Sequence, residues 1–217
     1  MCGASPTPCA LRYGPDAGAM AKRLFDLLGA TVALVLLAPL LAAVALWIKL
    51  DSQGPVLFRQ QRVGQHGRLF SIHKFRTMVA DAPQRGPQIT VGNDPRITRA
   101  GAFLRRAKLD ELPQLIDVLA GHMSLVGPRP ELPAYVAQYP AELRDKVLAV
   151  RPGITDPVSL EFADESALLA RAADPEREYV EVLLPKKLRA AAAYAQQATL
   201  WTDLQVIGRT LALLARR

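Results

Sequence analysis

Two adjacent carboxylates, Asp110 and Glu111, lie in a segment that is dense in arginine and proline. A carboxylate can attack phosphorus to form an acyl phosphate when a divalent cation and arginines offset the repulsion between the two anions. Asp110 could also be the N-cap of a helix with Pro113 in its first turn, beside free N–H groups that attract phosphate. An isolated Asp-Glu pair is more often a solvated helix start, so its meaning depends on its surroundings.

Arginines surround the dyad in the sequence. Residues 93–99 (NDPRITR), 103–106 (FLRR) and 124–131 (SLVGPRPE) flank it on both sides. Such a cluster would neutralise a diphosphate. The same arginines could equally form structural ion pairs, and the residues alone leave both interpretations open.

Composition and missing motifs narrow the function classes. The chain has no G-x-x-x-x-G-K-[ST], G-x-G-x-x-G, H-E-x-x-H or G-x-S-x-G, which argues against the enzymes that carry these motifs. Cys2 and Cys9 make neither a disulfide framework nor a metal site, and the three histidines lack metal spacing. The formal charge of +7 indicates an anionic partner, whether nucleic acid, an anionic membrane or a phosphorylated substrate.

One apolar segment is long enough to enter a membrane. No charged residue occurs from Leu27 to Ile48, a stretch that would form about 33 Å of helix against a hydrocarbon core of about 30 Å. Pro39 near its middle would kink that helix, and basic residues flank both ends, which favours both ends on the cytoplasmic side. Membrane attachment follows, with a kinked spanning helix and a re-entrant helix both left open.

The remaining elements are expected to form a small domain. Residues 56–58 and 68–72 predict strands joined by a turn at 63–67, and residues 82–95 predict a loop. Helices are predicted at 98–107, 112–120 and 134–150, with two more after Pro185. The last of these carries Trp201 beside an apolar stripe and cations, which suits either a membrane surface or packing on the core. Residues 1–19 are expected to be a disordered extension.

Six ordered blocks resemble the small monotopic phosphoglycosyl transferases, the bacterial sugar transferases that begin lipid-linked glycan assembly. The blocks are 54–64 (GPVLFRQQRVG), 74–78 (KFRTM), 94–99 (DPRITR), 109–114 (LDELPQ), 123–131 (MSLVGPRPE) and 151–155 (RPGIT). The resemblance begins at Lys22 and extends almost to the C-terminus. It implies an α+β, mainly helical fold: a re-entrant helix-break-helix at residues 20–50, broken near Pro39, then a cytoplasmic catalytic domain at 51–217 with amphipathic interfacial helices.

The resemblance also implies a reaction. Asp110 would take a phosphosugar from a UDP-sugar, releasing UMP, and polyprenyl phosphate would then accept it at the cytoplasmic face of the bacterial inner membrane. Glu111 would be the paired acid, as a general base or an organiser of the metal, and Asp110 would contact Mg²⁺. The candidate substrate-binding residues are Lys74, Arg76, Arg96, Arg105, Arg129 and Arg151. Nucleic acid is not an expected partner, and the oligomeric state stays open, with a homodimer as one option.

The chain departs from the family pattern at Asp117, at His122 and in the segment 156–159 (DPVS). That segment could line the sugar or nucleotide pocket, so the transferred sugar is not predicted. The alternative function is a membrane-anchored basic binding or scaffold protein without catalysis. Nucleic-acid binding of this kind would favour aromatic platforms among the cations, whereas only 6% of the residues are aromatic.

Overall fold

The structure, a computed structural model, describes residues 17–86, 90, 94–158 and 168–215 and is mainly helical. Its longest element is helix α1 (Ala17–Asp51), which is long and apolar enough to cross a membrane. Pro39 lies inside α1 and does not end it, so the predicted helix-break-helix is one helix in the structure. The loss of one backbone hydrogen bond can bend a helix without ending it. The re-entrant course stays a prediction, and residues 1–16 of the predicted extension lie outside the described residues.

One face of α1 packs on the rest of the chain at two places along the helix. Ala30 is buried in a cluster with Ile72 and Val118, and Ile48 is buried in a second cluster with Leu104. The opposite face exposes Leu24, Leu28, Val32, Val35, Leu36, Leu40, Leu46 and Leu50. A continuous exposed apolar surface of this kind is typical of contact with lipid or with a partner.

Strands β1 (Leu57–Val63) and β2 (Leu69–Phe75) form the predicted antiparallel hairpin, although both strands are longer than predicted. The connection contains His66 and Gly67 with positive φ, as a tight turn requires. Alternation along β2 turns Phe70, Ile72 and Lys74 to the same side of the strand. The position of Lys74 in the strand therefore explains why its ammonium group is largely buried.

Helix α2 (Arg99–Arg106) lies within the predicted range 98–107, and its N-cap Thr98 accepts a hydrogen bond from Gly101 N. A 3-10 turn (Leu109–Glu111) follows, and then helix α3 (Gln114–Leu119). The prediction that Asp110 is the N-cap of this helix is wrong. Lys108, at φ 56°, ends the preceding turn, and Asp110 lies in the middle of the 3-10 turn because helical backbone already begins at Leu109.

Strands β3 (Ser124–Val126) and β4 (Gly153–Thr155) pair in parallel. Their ends approach so closely that a Cβ atom on Gly153 would lie 2.0 Å from Gly127 N. Only glycine fits such a contact. Because the carboxyl ends of parallel strands meet at one edge, the segments that follow the two strands lie side by side.

The predicted helix at 134–150 is two helices, α4 (Pro133–Val136) and α5 (Ala141–Leu148), since Pro140 cannot donate to a continuing helix. Helix α6 (Pro175–Glu178) continues through a π-helical segment (Tyr179–Leu183) into α7 (Leu184–Gln197), and α8 (Leu200–Ala215) follows. Helix α7 buries Leu184, Leu188 and Ala192 in the largest core cluster. Helix α8 instead leaves Trp201 and Leu211 largely exposed. The two predicted C-terminal helices thus differ, one lying on the core and one with an apolar exposed face.

Candidate active site

The 3-10 turn, strand β2 and the segment after β3 bring three charged side chains together. Glu111 accepts a 2.8 Å hydrogen bond from Lys74 Nζ and a 2.6 Å hydrogen bond from the guanidinium of Arg129. All three residues were predicted site residues, and they come from separate sequence blocks. Lys74 and Glu111 are largely buried, whereas Arg129 is 37% exposed and can reach a ligand.

The two carboxyl groups of the dyad have opposite electrostatic environments. Burial alone would raise the pKa of Glu111, but Arg129 and Lys74 outweigh it and hold that pKa well below its usual range. Burial and the negative charge of Glu111 raise the pKa of Asp110, against the opposing effect of Lys74, Arg105 and Lys108. A pair of acids whose pKa values are pushed apart is typical of a site where each acid has a different role.

The positive charge of Arg105 acts on Asp110, and helix α2, which carries Arg105, crosses very close to the chain after β2. A Cβ atom on Gly101 would lie 2.0 Å from the carbonyl oxygen of Thr77, so glycine is needed at the crossing. From there Arg105 Nε donates to Thr77 Oγ1 at 2.9 Å. Burial lowers the pKa of Arg105, and the negative charge of Asp110 raises it. Arg105 therefore belongs to the charged surroundings of the dyad, and its role in substrate binding stays a prediction.

The three other arginines that were predicted to bind substrate donate hydrogen bonds to protein groups outside the dyad. Arg76 is buried and donates to the carbonyl oxygen and hydroxyl of Ser52 at the end of α1. Arg96 forms a two-pronged ion pair with Asp94 at 2.6–3.1 Å. Arg151 Nε donates to Gly121 O after α3. These contacts hold a helix end and two loops in place.

Two features near the dyad were not among the predicted site residues. Lys108 has the left-handed backbone that starts the 3-10 turn, and its charge acts on Asp110. Its position two residues before Asp110 was the available signal. Asp117, one of the departures from the family pattern, accepts hydrogen bonds from the backbone N–H and the ring nitrogen Nδ1 of His73. This pair fixes α3 against β2, directly beside Lys74.

The carboxylate ligands at this site fit a metal cation that is also bound by the substrate. Among the described residues, no group of three or more His, Cys, Asp or Glu side chains converges on one point. Glu111 is occupied by two cationic partners, which leaves Asp110 as the carboxylate of the dyad that a metal could contact. Mg²⁺ is commonly held by one or two carboxylates together with substrate phosphates. Asp110 and a substrate diphosphate would suit that arrangement.

Comparison with known proteins finds a matching family and several similar proteins. A family profile described as bacterial sugar transferase matches residues 17–217. A UDP-N-acetylgalactosamine-undecaprenyl-phosphate N-acetylgalactosaminephosphotransferase of Aeromonas hydrophila is 38% identical over 195 residues, covering 89% of this chain and 43% of the relative. A UDP-glucose:undecaprenyl-phosphate glucose-1-phosphate transferase of Caulobacter vibrioides is 40% identical over 194 residues, covering 88% and 68%.

A third relative, an exopolysaccharide production protein of Rhizobium leguminosarum bv. phaseoli, is 57% identical over 109 residues, covering 50% of this chain and 54% of the relative. The chain thus spans about half the length or less of two of these three relatives. The shared region includes the dyad and all of the arginines discussed above.

Proposed function

Because the chain belongs to the bacterial sugar transferase family, we propose that it transfers a phosphosugar from a UDP-sugar to polyprenyl (undecaprenyl) phosphate. The names of the Aeromonas and Caulobacter relatives describe transfers of this kind, with different sugars. The observation that carries the proposal is the dyad itself. An ionised Glu111 gathers Lys74 and Arg129 beside a second carboxylate, Asp110, whose pKa is raised.

In the first step, a carboxylate oxygen of Asp110 attacks the β-phosphorus of the UDP-sugar. The bond from that phosphorus to the oxygen bridging the two phosphates breaks, and UMP leaves with the bridging oxygen and its electron pair. The product is an acyl phosphate that carries the sugar. Arg129 and Arg105 stabilise the negative charge that develops on the phosphoryl oxygens.

In the second step, an oxygen of polyprenyl phosphate attacks the same phosphorus. The bond between phosphorus and the Asp110 oxygen breaks, which regenerates the carboxylate and yields a polyprenyl-diphospho-sugar. Such a lipid-linked sugar is the starting point for exopolysaccharide, O-antigen, capsule or glycoprotein glycans. Both steps use one phosphorus centre, so one set of cationic side chains serves both.

Glu111 serves best as a positioning residue. Its pKa lies well below the usual range, because Arg129 and Lys74 outweigh the effect of burial, so it is a weak base near neutral pH. Both of its oxygens are already engaged by cationic donors. Mg²⁺, held by Asp110 and the donor diphosphate, would supply charge neutralisation at the phosphates. The hydrogen bonds of Glu111 with Lys74 and Arg129 favour an organising role for Glu111 over proton abstraction.

The contacts of α1 support a re-entrant course at the cytoplasmic face of the inner membrane. Near the N-terminal end of α1, Arg23 donates to the carbonyl oxygens of Val118 and Leu119. Near its C-terminal end, the carbonyl oxygen of Ser52 accepts from Arg76. Both ends are held by the same domain, whereas a straight spanning helix would place its ends on opposite sides of the bilayer. Exposed Trp201 and Leu211 on α8 suit contact with that membrane face.

The decisive experiment incubates the purified protein with UDP-sugars, undecaprenyl phosphate and Mg²⁺ and measures UMP. We expect UMP release with at least one donor, and a donor-dependent mass increase of the intact protein when the acceptor is withheld. Asp110→Asn should abolish both signals, and Asp145→Asn, a matched change at an exposed position on α5, should retain them. UMP release from no donor would refute the proposed activity. A trapped adduct on the Asp110→Asn protein would exclude Asp110 as the nucleophile.

A further inference from the structure

The turn that carries Asp110 rests on the apolar helix α1. Leu109, the residue directly before Asp110, packs against a buried cluster that includes Val44 and Ile48 of α1. In the part of the chain that the structure describes, α1 is the helix that is long and apolar enough to cross a membrane. The proposed nucleophile therefore lies beside the element that meets lipid, and a lipid substrate can approach it along α1.

Exposed aromatic side chains extend this apolar surface from α1 onto α2. The rings of Trp47 on α1 and Phe103 on α2 are in contact, with their centroids 5.4 Å apart. Trp47 is 40% exposed and Phe103 is 49% exposed, so both rings keep much of their surface for a ligand. Leu50, three residues after Trp47 and therefore its neighbour on the helix, is 78% exposed. We call these three side chains the aromatic patch; it is continuous with the exposed apolar face of α1.

Lys108 places a positive charge where α2 ends and the turn with Asp110 begins. Its side chain is exposed, and its charge acts on Asp110. Lys74 and Arg105, which also act on Asp110, donate hydrogen bonds to other side chains. The ammonium group of Lys108 has no hydrogen-bond or ion-pair partner among the described residues. Of these three cations, Lys108 is thus the one that is free to bind a ligand.

The backbone at Lys108 supports a role for its side chain. Lys108 has the left-handed conformation, at φ 56° and ψ 24°. Glycine adopts this conformation without the crowding between Cβ and the carbonyl oxygen that a lysine experiences. Residues in such sparsely populated conformations cluster at functional sites, where the surrounding structure holds them. The ammonium group makes no described contact within the fold, so a contact with a ligand would account for a lysine at this position.

A phosphate on a long isoprenoid chain matches both features. Its charged oxygens suit the ammonium group of Lys108, and its apolar chain suits Trp47 and Phe103. A nucleotide sugar has no apolar chain that would cover the two rings. Arg129, which is bound to Glu111 and partly exposed, stays available for the diphosphate of that donor.

We propose that polyprenyl phosphate binds along the aromatic patch, with its phosphate at Lys108 and the beginning of its chain against Trp47 and Phe103. The inference rests on the proposed function, because it assigns a binding site to the acceptor of the second step. Lys108 and Asp110 are two residues apart, so an acceptor phosphate held by Lys108 lies close to the phosphorus that Asp110 carries after the first step. The bonds that form and break are those of the second step.

The first test measures the KM for both substrates in wild type and in Phe103→Ala, at one fixed detergent concentration. We expect the KM for undecaprenyl phosphate to rise roughly tenfold, because the loss of the ring leaves part of the bound chain exposed to water. The KM for the UDP-sugar, and the mass adduct formed without acceptor, should stay as in wild type. An unchanged KM for the acceptor, or an equal rise in both KM values, would overturn the inference.

Leu69→Ala is the matched control for Phe103→Ala. Leu69 is 57% exposed and lies at the turn end of β2, whereas Phe75, at the other end of that strand, packs against α1. The KM for undecaprenyl phosphate should therefore stay as in wild type. A rise in the control equal to that in Phe103→Ala would show a general effect of losing exposed apolar surface and would count against the aromatic patch.

The second test separates the two steps in Lys108→Gln, at a pH high enough that Asp110 is ionised in both proteins. We expect the adduct to form at close to the wild-type rate and its breakdown by undecaprenyl phosphate to slow roughly tenfold at subsaturating acceptor. Lys108→Arg should restore the breakdown, and Lys146→Gln, the same change at an exposed position on α5, should leave it unaltered. Slower adduct formation with normal breakdown would overturn the role of Lys108 in acceptor binding.

The two proposals fail in different ways. Absence of UMP release in wild type would refute the proposed function. UMP release in wild type together with normal use of the acceptor in both Phe103→Ala and Lys108→Gln would refute only the inference.

A third test needs no variant, so it does not depend on how well a variant folds. The wild-type protein in detergent is irradiated with a polyprenyl phosphate analogue that carries a benzophenone near its phosphate, and the labelled peptides are mapped by mass spectrometry. We expect label on the peptides that contain Trp47 or Phe103, with competition by undecaprenyl phosphate and not by phosphatidylglycerol. Label confined to other peptides, or equal competition by phosphatidylglycerol, would overturn the inference.

Discussion

At the scale of single residues, the dyad separates two roles between neighbouring carboxyl groups. Glu111 is held ionised by Lys74 and Arg129, and the same negative charge raises the pKa of Asp110. A nucleophilic carboxylate must be ionised, so the proposed reaction should depend on pH through Asp110. Activity is expected to fall as pH drops through the raised pKa of Asp110, which lies above its ordinary value of 3.8.

The first prediction concerns Lys108, whose charge lowers the pKa of Asp110. Lys108→Gln removes that charge, so the pKa of Asp110 rises further and the acid limb of the pH–rate profile for UMP release moves to higher pH. The shift should be less than about one unit, because Lys108 is exposed and solvent screens its charge. It should shrink at about 1 M salt, where the Debye length falls to about 3 Å.

Arg106→Gln is the comparison for this prediction, since it removes another exposed cation from the same stretch of chain. Its acid limb should move less than that of Lys108→Gln. An acid limb that stays in place in Lys108→Gln, or moves to lower pH, would mean that an ionisation other than that of Asp110 controls the rate.

At the scale of elements, the position of Arg105 depends on the contact of α2 with the chain after β2. Thr98 N donates to Thr77 O, and Gly101 lies against that same carbonyl group. Helix α2 can approach the backbone of Thr77 closely because Gly101 has no side chain. The helix and the strand are each predictable from local sequence, but their distance of approach follows from this one residue.

The second prediction is that Gly101→Ala destabilises the protein and lowers activity. Its Cβ would lie 2.0 Å from Thr77 O, a backbone atom that cannot move alone, so α2 must shift and take Arg105 with it. The expected cost is about 1–3 kcal/mol in the free energy of unfolding, measured by denaturant titration in detergent.

Gly208→Ala is the control, because Gly208 lies within α8 and a Cβ there would meet nothing within 4 Å. Replacing an unobstructed helical glycine with alanine should stabilise the protein by about 0.5–1 kcal/mol. Equal effects of the two substitutions would show that the Gly101 contact with Thr77 is not what limits the packing of α2.

At the scale of the whole molecule, a buried polar network joins the first and last helices. Lys22 Nζ on α1 lies 2.6 Å from Asp203 Oδ2 on α8 and also donates to Val126 O at the end of β3. Tyr194 on α7 donates its hydroxyl to Asp203 Oδ1. Side chains of three helices thus meet at one carboxylate, which is completely buried, and Lys22 and Tyr194 connect it to the strand that leads to Arg129.

The third prediction is that Asp203→Asn destabilises the protein by about 3 kcal/mol, because it leaves the ammonium group of Lys22 largely buried without its main counter-charge. Unfolding of the detergent-solubilised protein, followed by tryptophan fluorescence, measures the loss. Tyr194→Phe removes a single neutral donor from the same carboxylate and should cost about 1 kcal/mol. A loss in Asp203→Asn no larger than in Tyr194→Phe would contradict the role of the ion pair.

The fourth prediction concerns the course of α1 through the membrane. Cys2 and Cys9 are the two cysteines of the chain and precede Lys22, so they report the side on which α1 begins. With both ends of α1 on the cytoplasmic side, a membrane-impermeant maleimide should label them only after the cells are lysed. A periplasmic cysteine reporter verifies access of the reagent. Labelling in intact cells would indicate a spanning helix instead.

The sequence by itself determined the features that depend on neighbouring residues. An uncharged stretch from Leu27 to Ile48 must be helical wherever it meets lipid, and the turn residues around Gly67 define the hairpin. The blocks around Asp110 and Glu111 were sufficient to indicate the family that the profile match confirms. Helix ends were less certain where proline intervened: Pro140 divides a predicted helix, whereas α1 continues through Pro39.

Only the tertiary structure decided which cations surround the dyad. Lys74, Arg105 and Arg129 act on it, whereas Arg76, Arg96 and Arg151 are bound to a helix end, to Asp94 and to a loop carbonyl. An arginine has a long stem and five donors, so its partner is chosen by whatever acceptor the folded chain brings within reach. Sequence spacing does not contain that information. The same holds for Asp156, whose negative charge acts on Arg129 because the segments after the parallel strands β3 and β4 lie side by side.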